Sequence, residues 1–138
     1  MKLKLVSSTP DAEALIAAAV LTTTSGVQPS VLFDRMVSRL ERVREIISRI
    51  EVQHGSVLEH NRLTWAAEAD DSEVLGVLLR NRFFSFTRLG DGKWLVSGNL
   101  RSVYEYAERW RDDFSEKIFE SIRDVAPTVY GLIRGKRA

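Results

Sequence analysis

The chain has 138 residues, of which 44% are hydrophobic and 28% charged, with a formal net charge of +1 at pH 7. That is room for one domain, residues 1–138, and it excludes disorder, collagen-like repeats and, for want of a long apolar run, a membrane helix. The absence of cysteine excludes disulfides, thiolate metal sites and cysteine nucleophiles, and it fits a reducing, cytoplasmic setting.

Lys2 to Ser8 alternates, with Leu3 and Leu5 on one face and Lys2, Lys4 and Val6 on the other. That is a strand. Thr9-Pro10-Asp11 reads as a helix start, with Thr9 as cap and Pro10 in the first turn. The helix from Ala12 to about Thr22 is apolar nearly all round, as a helix buried or packed on a partner would be. A second helix is predicted from about Val31 to Val52. Leu32, Met36, Leu40, Val43, Ile47 and Ile50 recur at steps of three and four, and Gly55 ends it. Asn61 to Ala69 reads as a strand with Leu63, Trp65 and Ala67 on one face. Asp71-Ser72-Glu73 caps a short helix from Val74 to about Asn81. Phe83–Leu89 and Lys93–Ser97 flank Gly90-Asp91-Gly92, a hairpin signature that puts Phe84 and Phe86 on the core side. Asn99 caps a helix with Val103, Tyr106, Ala107 and Trp110. A last helix carries Phe114, Ile118, Ile122 and Val125. Pro127 breaks it, a short turn reaches Ile133, and a basic tail follows. The expected fold is α+β, a small, mostly antiparallel sheet covered by helices.

Three segments carry chemistry. His54-Gly55-Ser56-Val57-Leu58-Glu59-His60 gathers both histidines of the chain and a carboxylate at a helix-to-strand junction. Such a cluster suits acid–base work or phosphate binding, and its plainer reading is local capping. A metal reading would use His54, Glu59 and His60, but their spacing matches no common ligand pattern, and a metal site is not expected. Arg80-Asn81-Arg82-Phe83-Phe84-Ser85-Phe86-Thr87-Arg88 interleaves three arginines with three aromatics. Guanidinium groups grip phosphates and stack on rings, although a hairpin with surface arginines would look the same. Asn99-Leu100-Arg101-Ser102 opens a helix, whose free N–H groups suit an anion, and a simple cap is again the alternative. The chain holds 15 Arg to 5 Lys, but its near-neutral charge argues against nucleic acid as partner.

These three segments, in this order, resemble the flavin-dependent thymidylate synthases, the ThyX family. His54 to His60 is similar to the family's His-x-Ser/Thr-x-x-Glu-His. Arg80-Asn81-Arg82-Phe83-Phe84-Ser85 resembles its signature Arg-His-Arg-x-x-Ser. Asn99 to Ser102 resembles its Asn-x-Arg-Ser turn. The resemblance implies a homotetramer with sites at subunit interfaces, FAD as cofactor and NADPH as reductant. It implies dUMP methylation with methylene-tetrahydrofolate. It assigns His54, Arg80, Arg82, Asn99 and Arg101 to the cofactor, and Ser85 and Arg109 to the substrate. Several positions depart from the pattern. Asn81 replaces the signature histidine. Gly90 and Gly92 stand where the family has a serine and an arginine that hold the nucleotide. A long family segment after the signature is reduced to the hairpin. Glu105 replaces a helix asparagine, and Arg109 or Arg111 stands near a phosphate-gripping arginine. The expectation is therefore a ThyX-like protein of altered or lost activity, with a non-catalytic flavin- or nucleotide-binding relative as the alternative. No catalytic residue is assigned.

Overall fold

The computed structural model describes residues 1–50 and 55–138 with their side chains, and only the backbone of residues 52–54. The elements follow as β1 (Lys2–Ser8), α1 (Ala12–Thr22), α2 (Pro29–Val37), α3 (Leu40–Ser48), a 3-10 segment (Val52–Glu59), β2 (Leu63–Glu68), α4 (Asp71–Arg80), β3 (Ser85–Gly90), β4 (Lys93–Gly98), α5 (Leu100–Arg109), α6 (Asp113–Ser121) and α7 (Pro127–Arg137). The four strands form one antiparallel sheet in the order β1-β2-β4-β3. The α+β expectation holds.

Register explains which face is buried. Leu5, Trp65, Val96 and Phe86 lie in one row across the sheet, and Leu3, Ala67, Trp94 and Arg88 in the next. Side chains of directly paired residues share a face, so these rows make the inner surface. Trp65 and Val96 are fully buried on it. The opposite rows, Lys4–Ala66–Leu95–Thr87 and Lys2–Glu68–Lys93, face outward. The hairpin turn is Asp91-Gly92, and Gly92 sits at φ 68°, a conformation that favours glycine.

Under the inner face lies an aromatic cluster. Phe84, Tyr106 and Phe114 meet edge to face, with centroids 5.1–5.9 Å apart. Trp65 leans on Phe84 and donates its indole N–H to the Ser121 hydroxyl at 2.8 Å. Gly98 is the flat side of this nest. A Cβ there would lie 2.8 Å from the Phe84 ring.

The structure corrects several element expectations. The predicted long helix is two, broken at Ser38-Arg39, where Arg39 has φ −126° and ψ 64°. The break changes the phase of the apolar stripe. Leu32 and Met36 are buried from α2, Leu40 is exposed, and Val43, Ile46 and Ile47 are buried from α3. Both helices thereby pack on α1. Gly55 does not end a helix but lies within the 3-10 segment. Thr9 does not cap α1. It exchanges hydrogen bonds with the Arg62 backbone, and Asp11, at φ 52°, takes the cap position. The helix α4 starts earlier than expected, at Asp71, because Asp70 caps it by accepting from the Glu73 N–H at 2.8 Å.

Pro127 opens a helix instead of ending the fold in a turn. Proline suits the first helical position, where no N–H is needed. The Glu13 carboxylate accepts the next two N–H groups, from Thr128 at 3.3 Å and Val129 at 2.8 Å. Burial is the largest influence on Glu13 and raises its pKa, and these bonds oppose that. Of the two alternatives for the apolar helix α1, burial or packing on a partner, the chain supplies the first. Ile16, Ala17 and Ala18 are buried within the chain itself.

Candidate functional site

The two ends of α5 hold most of the residues singled out by sequence. At its start, Asn99 caps the helix, accepting from the Ser102 N–H at 3.0 Å and the Ser102 hydroxyl at 3.2 Å. Asn61 stitches the 3-10 segment to this point. Its carbonyl oxygen accepts from the Leu100 N–H at 2.8 Å, and its amide donates to the Leu58 carbonyl at 2.8 Å. The first and third sequence motifs are thus brought together.

Arg101 stands between two carboxylates. Its Nη1 donates to Glu59 at 2.9 Å and its Nε to Glu105 at 3.0 Å. Glu105, then Glu59, hold the guanidinium above its ordinary pKa. A Cβ on Gly55 would lie 3.4 Å from Arg101 Nε, so this backbone passes directly over the arginine. The recess among Ile50, Gly55, Leu58, Arg101, Tyr104 and Leu132 has only about 20 Å³, room for about one water. His54 lies outside the residues whose side chains are described. His60 is exposed.

At the far end of α5 the chemistry is structural. Arg80 is ion-paired with Asp112 and lies 4.9 Å over the Trp110 ring. The Tyr106 hydroxyl donates to the same carboxylate at 2.5 Å, and the other carboxylate oxygen caps α6 through the Ser115 N–H at 2.7 Å. Burial, then the bond to Asp112, push the Tyr106 phenol well above the usual range. Arg111 donates to the Ala107 carbonyl at 2.7 Å and the Glu108 carbonyl at 2.9 Å, closing the helix end. Arg109 is exposed, with its guanidinium 5.4 Å from the centre of the Trp110 ring.

Arg82 and Ser85 belong to neither cluster. Arg82 is exposed, 5.0 Å over the Phe83 ring, and has no carboxylate partner among the described residues. Ser85 is exposed at the start of β3, opposite Ser97. Asn81 accepts from the Phe83 N–H at 2.7 Å, a turn bond in place of any titrating role. From Arg101 to Trp110 is nine residues of helix, about 13 Å. Arg80 and Arg101 are thus held at opposite ends of α5, each by its own carboxylates.

Sequence reasoning missed two residues of this site. Asn61 gave no signal, because an asparagine before a strand looks like any loop residue. Glu105 was noted only as a departure, yet Arg101 and Glu105 are four apart on a helix, a spacing at which side chains meet. A separate apolar-floored cleft of about 470 Å³ lies between α1 and α3, beside Val20, Leu21, Ile46, Ile50 and Val57. The arginines at its rim, Arg42 and Arg49, both pair with Glu45.

No protein-family model matches the chain, and no curated protein does. Solved structures do. The UMP/dUMP methylase PolB from Streptomyces cacaoi, bound with 5-Br dUMP, superposes with a TM-score of 0.69 at 13% identity, covering 97% of this chain and 94% of that one. The flavin-dependent thymidylate synthase ThyX from Helicobacter pylori, complexed with FAD and dUMP, superposes with a TM-score of 0.64 at 12% identity, covering 94% and 98%. The chain therefore has the fold shared by these two enzymes, over nearly its whole length.

Proposed function

We propose that this chain is a ThyX-like protein in which the methylation of dUMP has been lost. The observation that carries the reading is the clamp on Arg101. The resemblance assigns this arginine to the flavin; Glu59, part of the family's own motif, bonds it, and here Glu105, in place of the family's asparagine, adds a second carboxylate. The trio carries a net charge of −1, the wrong sign for a pyrophosphate. Arg80 is likewise held by Asp112. Two of the three arginines that the resemblance assigns to the flavin are thus already neutralised by carboxylates.

The hairpin supports the same reading. Gly90, at the end of β3, and Gly92, within the turn, stand where the family resemblance places a substrate-holding serine and arginine, and they bring no side chain. Reactions of this kind depend on substrate held within narrow geometric limits, and losing anchors costs orders of magnitude in rate. No NADPH-dependent turnover is expected. The direct test incubates the protein with FAD, NADPH, methylene-tetrahydrofolate and dUMP and follows dTMP. The reading requires none to form, and steady formation of dTMP overturns it.

A second reading, nucleotide binding without methyl transfer, rests on Arg82. Its exposed guanidinium has no carboxylate partner among the described residues and sits on an aromatic ring. That pairing suits a phosphate and a base from a ligand shared between copies of the chain, in keeping with the homotetramer that the resemblance implies. Equilibrium dialysis with dUMP and with FAD separates the readings. Uptake of either ligand that is abolished by Arg82→Ala favours the second.

A further inference from the structure

The cleft between α1 and α3 takes no part in the function proposed for the residues around α5. Its floor is apolar, built by Val20 and Leu21 from α1, Ile46 and Ile50 from α3, and Val57 from the 3-10 segment. Ile46 and Val57 are buried and the other three half-buried. A volume of about 470 Å³ lies in the range of small-molecule sites, which are mostly apolar with a few placed polar groups. Here α3 supplies those groups. Arg42, Ile46, Arg49 and Ile50 follow one another at helical spacing, which puts them on one face of the helix. The guanidiniums of Arg42 and Arg49 pair with the same oxygen of Glu45, at 3.1 and 3.3 Å.

We infer that this cleft binds a small monoanion with an apolar body, of the class of a medium-chain or aromatic carboxylic acid. Two arginines that share one carboxylate leave a single positive charge at the rim, among the described residues. That is the reverse of the Arg101 clamp, where two carboxylates share one arginine. A ligand carboxylate matches the surplus charge, and guanidinium groups suit its two oxygens. The doubly charged pyrophosphate of a dinucleotide would overshoot it, and the apolar floor offers nothing to pair with a base. The opposite wall does not repel an anion, because the last carbonyls of α1 are already bonded. Val20 accepts from the Thr23 N–H at 3.3 Å and its hydroxyl at 2.7 Å, and Leu21 from the N–H groups of Thr24 and Ser25 at 3.2 and 2.9 Å. Burial of the apolar body supplies the affinity, and the arginines, with apolar stems and solvated heads, fix which end of the ligand stays at the rim. The inference does not depend on whether the chain methylates dUMP or takes up flavin.

Fluorescence titration with anilinonaphthalene sulfonate, an apolar body with one negative charge, tests it, with decanoate as competitor. The probe should bind at micromolar concentration, and decanoate should displace it. Decanol and decyltrimethylammonium should compete at least about tenfold less well, for want of a charged bond to the arginines. Replacing both arginines, Arg42→Gln with Arg49→Gln, should weaken decanoate by about tenfold or more and leave decanol unchanged. Both side chains are exposed, so the far-UV circular dichroism should not change. Glu45→Gln, which frees both arginines, should instead tighten decanoate. Failure of decanoate to displace the probe, equal competition by decanol, or an affinity for decanoate that the arginine replacements leave unchanged would each overturn the inference. Displacement of the probe by FAD as readily as by decanoate would overturn it too, by assigning the cleft to a dinucleotide.

Discussion

The two ends of α5 use arginine in opposite ways. At the C-terminal end Arg80 joins Asp112, Tyr106 and Trp110 over a buried aromatic cluster, and each partner has a structural task of its own. At the N-terminal end Arg101 bonds two carboxylates that are about half exposed. The first arrangement resists change because removing one member strands another in a partly buried place. The second is a surface clamp that adds little to the stability of the fold. An arginine in a binding motif is thus informative only together with what already neutralises it.

The contrast can be broken from the structural end first. Phe84→Ala removes the ring that meets Trp65, Tyr106 and Phe114, and chemical denaturation should show a loss of about 3–5 kcal/mol. Gly98→Ala should cost about 1–3 kcal/mol, because its Cβ must displace a ring held on three sides. Asp112→Ala takes the α6 cap together with the partner of Arg80 and Tyr106, and should cost about 2 kcal/mol.

The pH dependence sharpens the same point. The Tyr106 phenol titrates higher in the folded protein than in the unfolded chain. The folded state therefore holds its proton where the unfolded state releases it. Its contribution is complete below the ordinary tyrosine value of about 10 and declines as pH rises above it. Thermal melts of Tyr106→Phe should accordingly fall less steeply above that pH than those of the wild type. At the other end of α5, Arg101→Ala should change stability by less than about 0.5 kcal/mol, since both its ion pairs are exposed.

Much of the fold was legible in sequence because it rests on short-range signals. Alternation at Leu63, Trp65 and Ala67, the Asp91-Gly92 turn and the Asn99 cap all appear as read. The helix break at Ser38-Arg39 was hidden, because Leu40 extends the apolar stripe of Leu32 and Met36 in perfect phase. Only the need of two helices to face α1 reveals it. The start of α7 was hidden because its cap, Glu13, comes from the other end of the chain. For the candidate site, the motifs were legible and their spatial relation was not. Nothing local says that residues 54–60 would meet Asn99–Ser102 through Asn61, while Arg80 would be drawn to Asp112.

The most direct test of the account replaces Glu105 and measures FAD binding. Glu105→Asn removes one of the two carboxylates on Arg101 and restores the residue that the family resemblance places there. Flavin fluorescence titration should show weak or no uptake by the wild type and an affinity at least about tenfold higher in the variant, the equivalent of roughly 1.4 kcal/mol. Tight FAD binding by the wild type, unchanged by Glu105→Asn, would contradict the claim that the clamp on Arg101 closes this site.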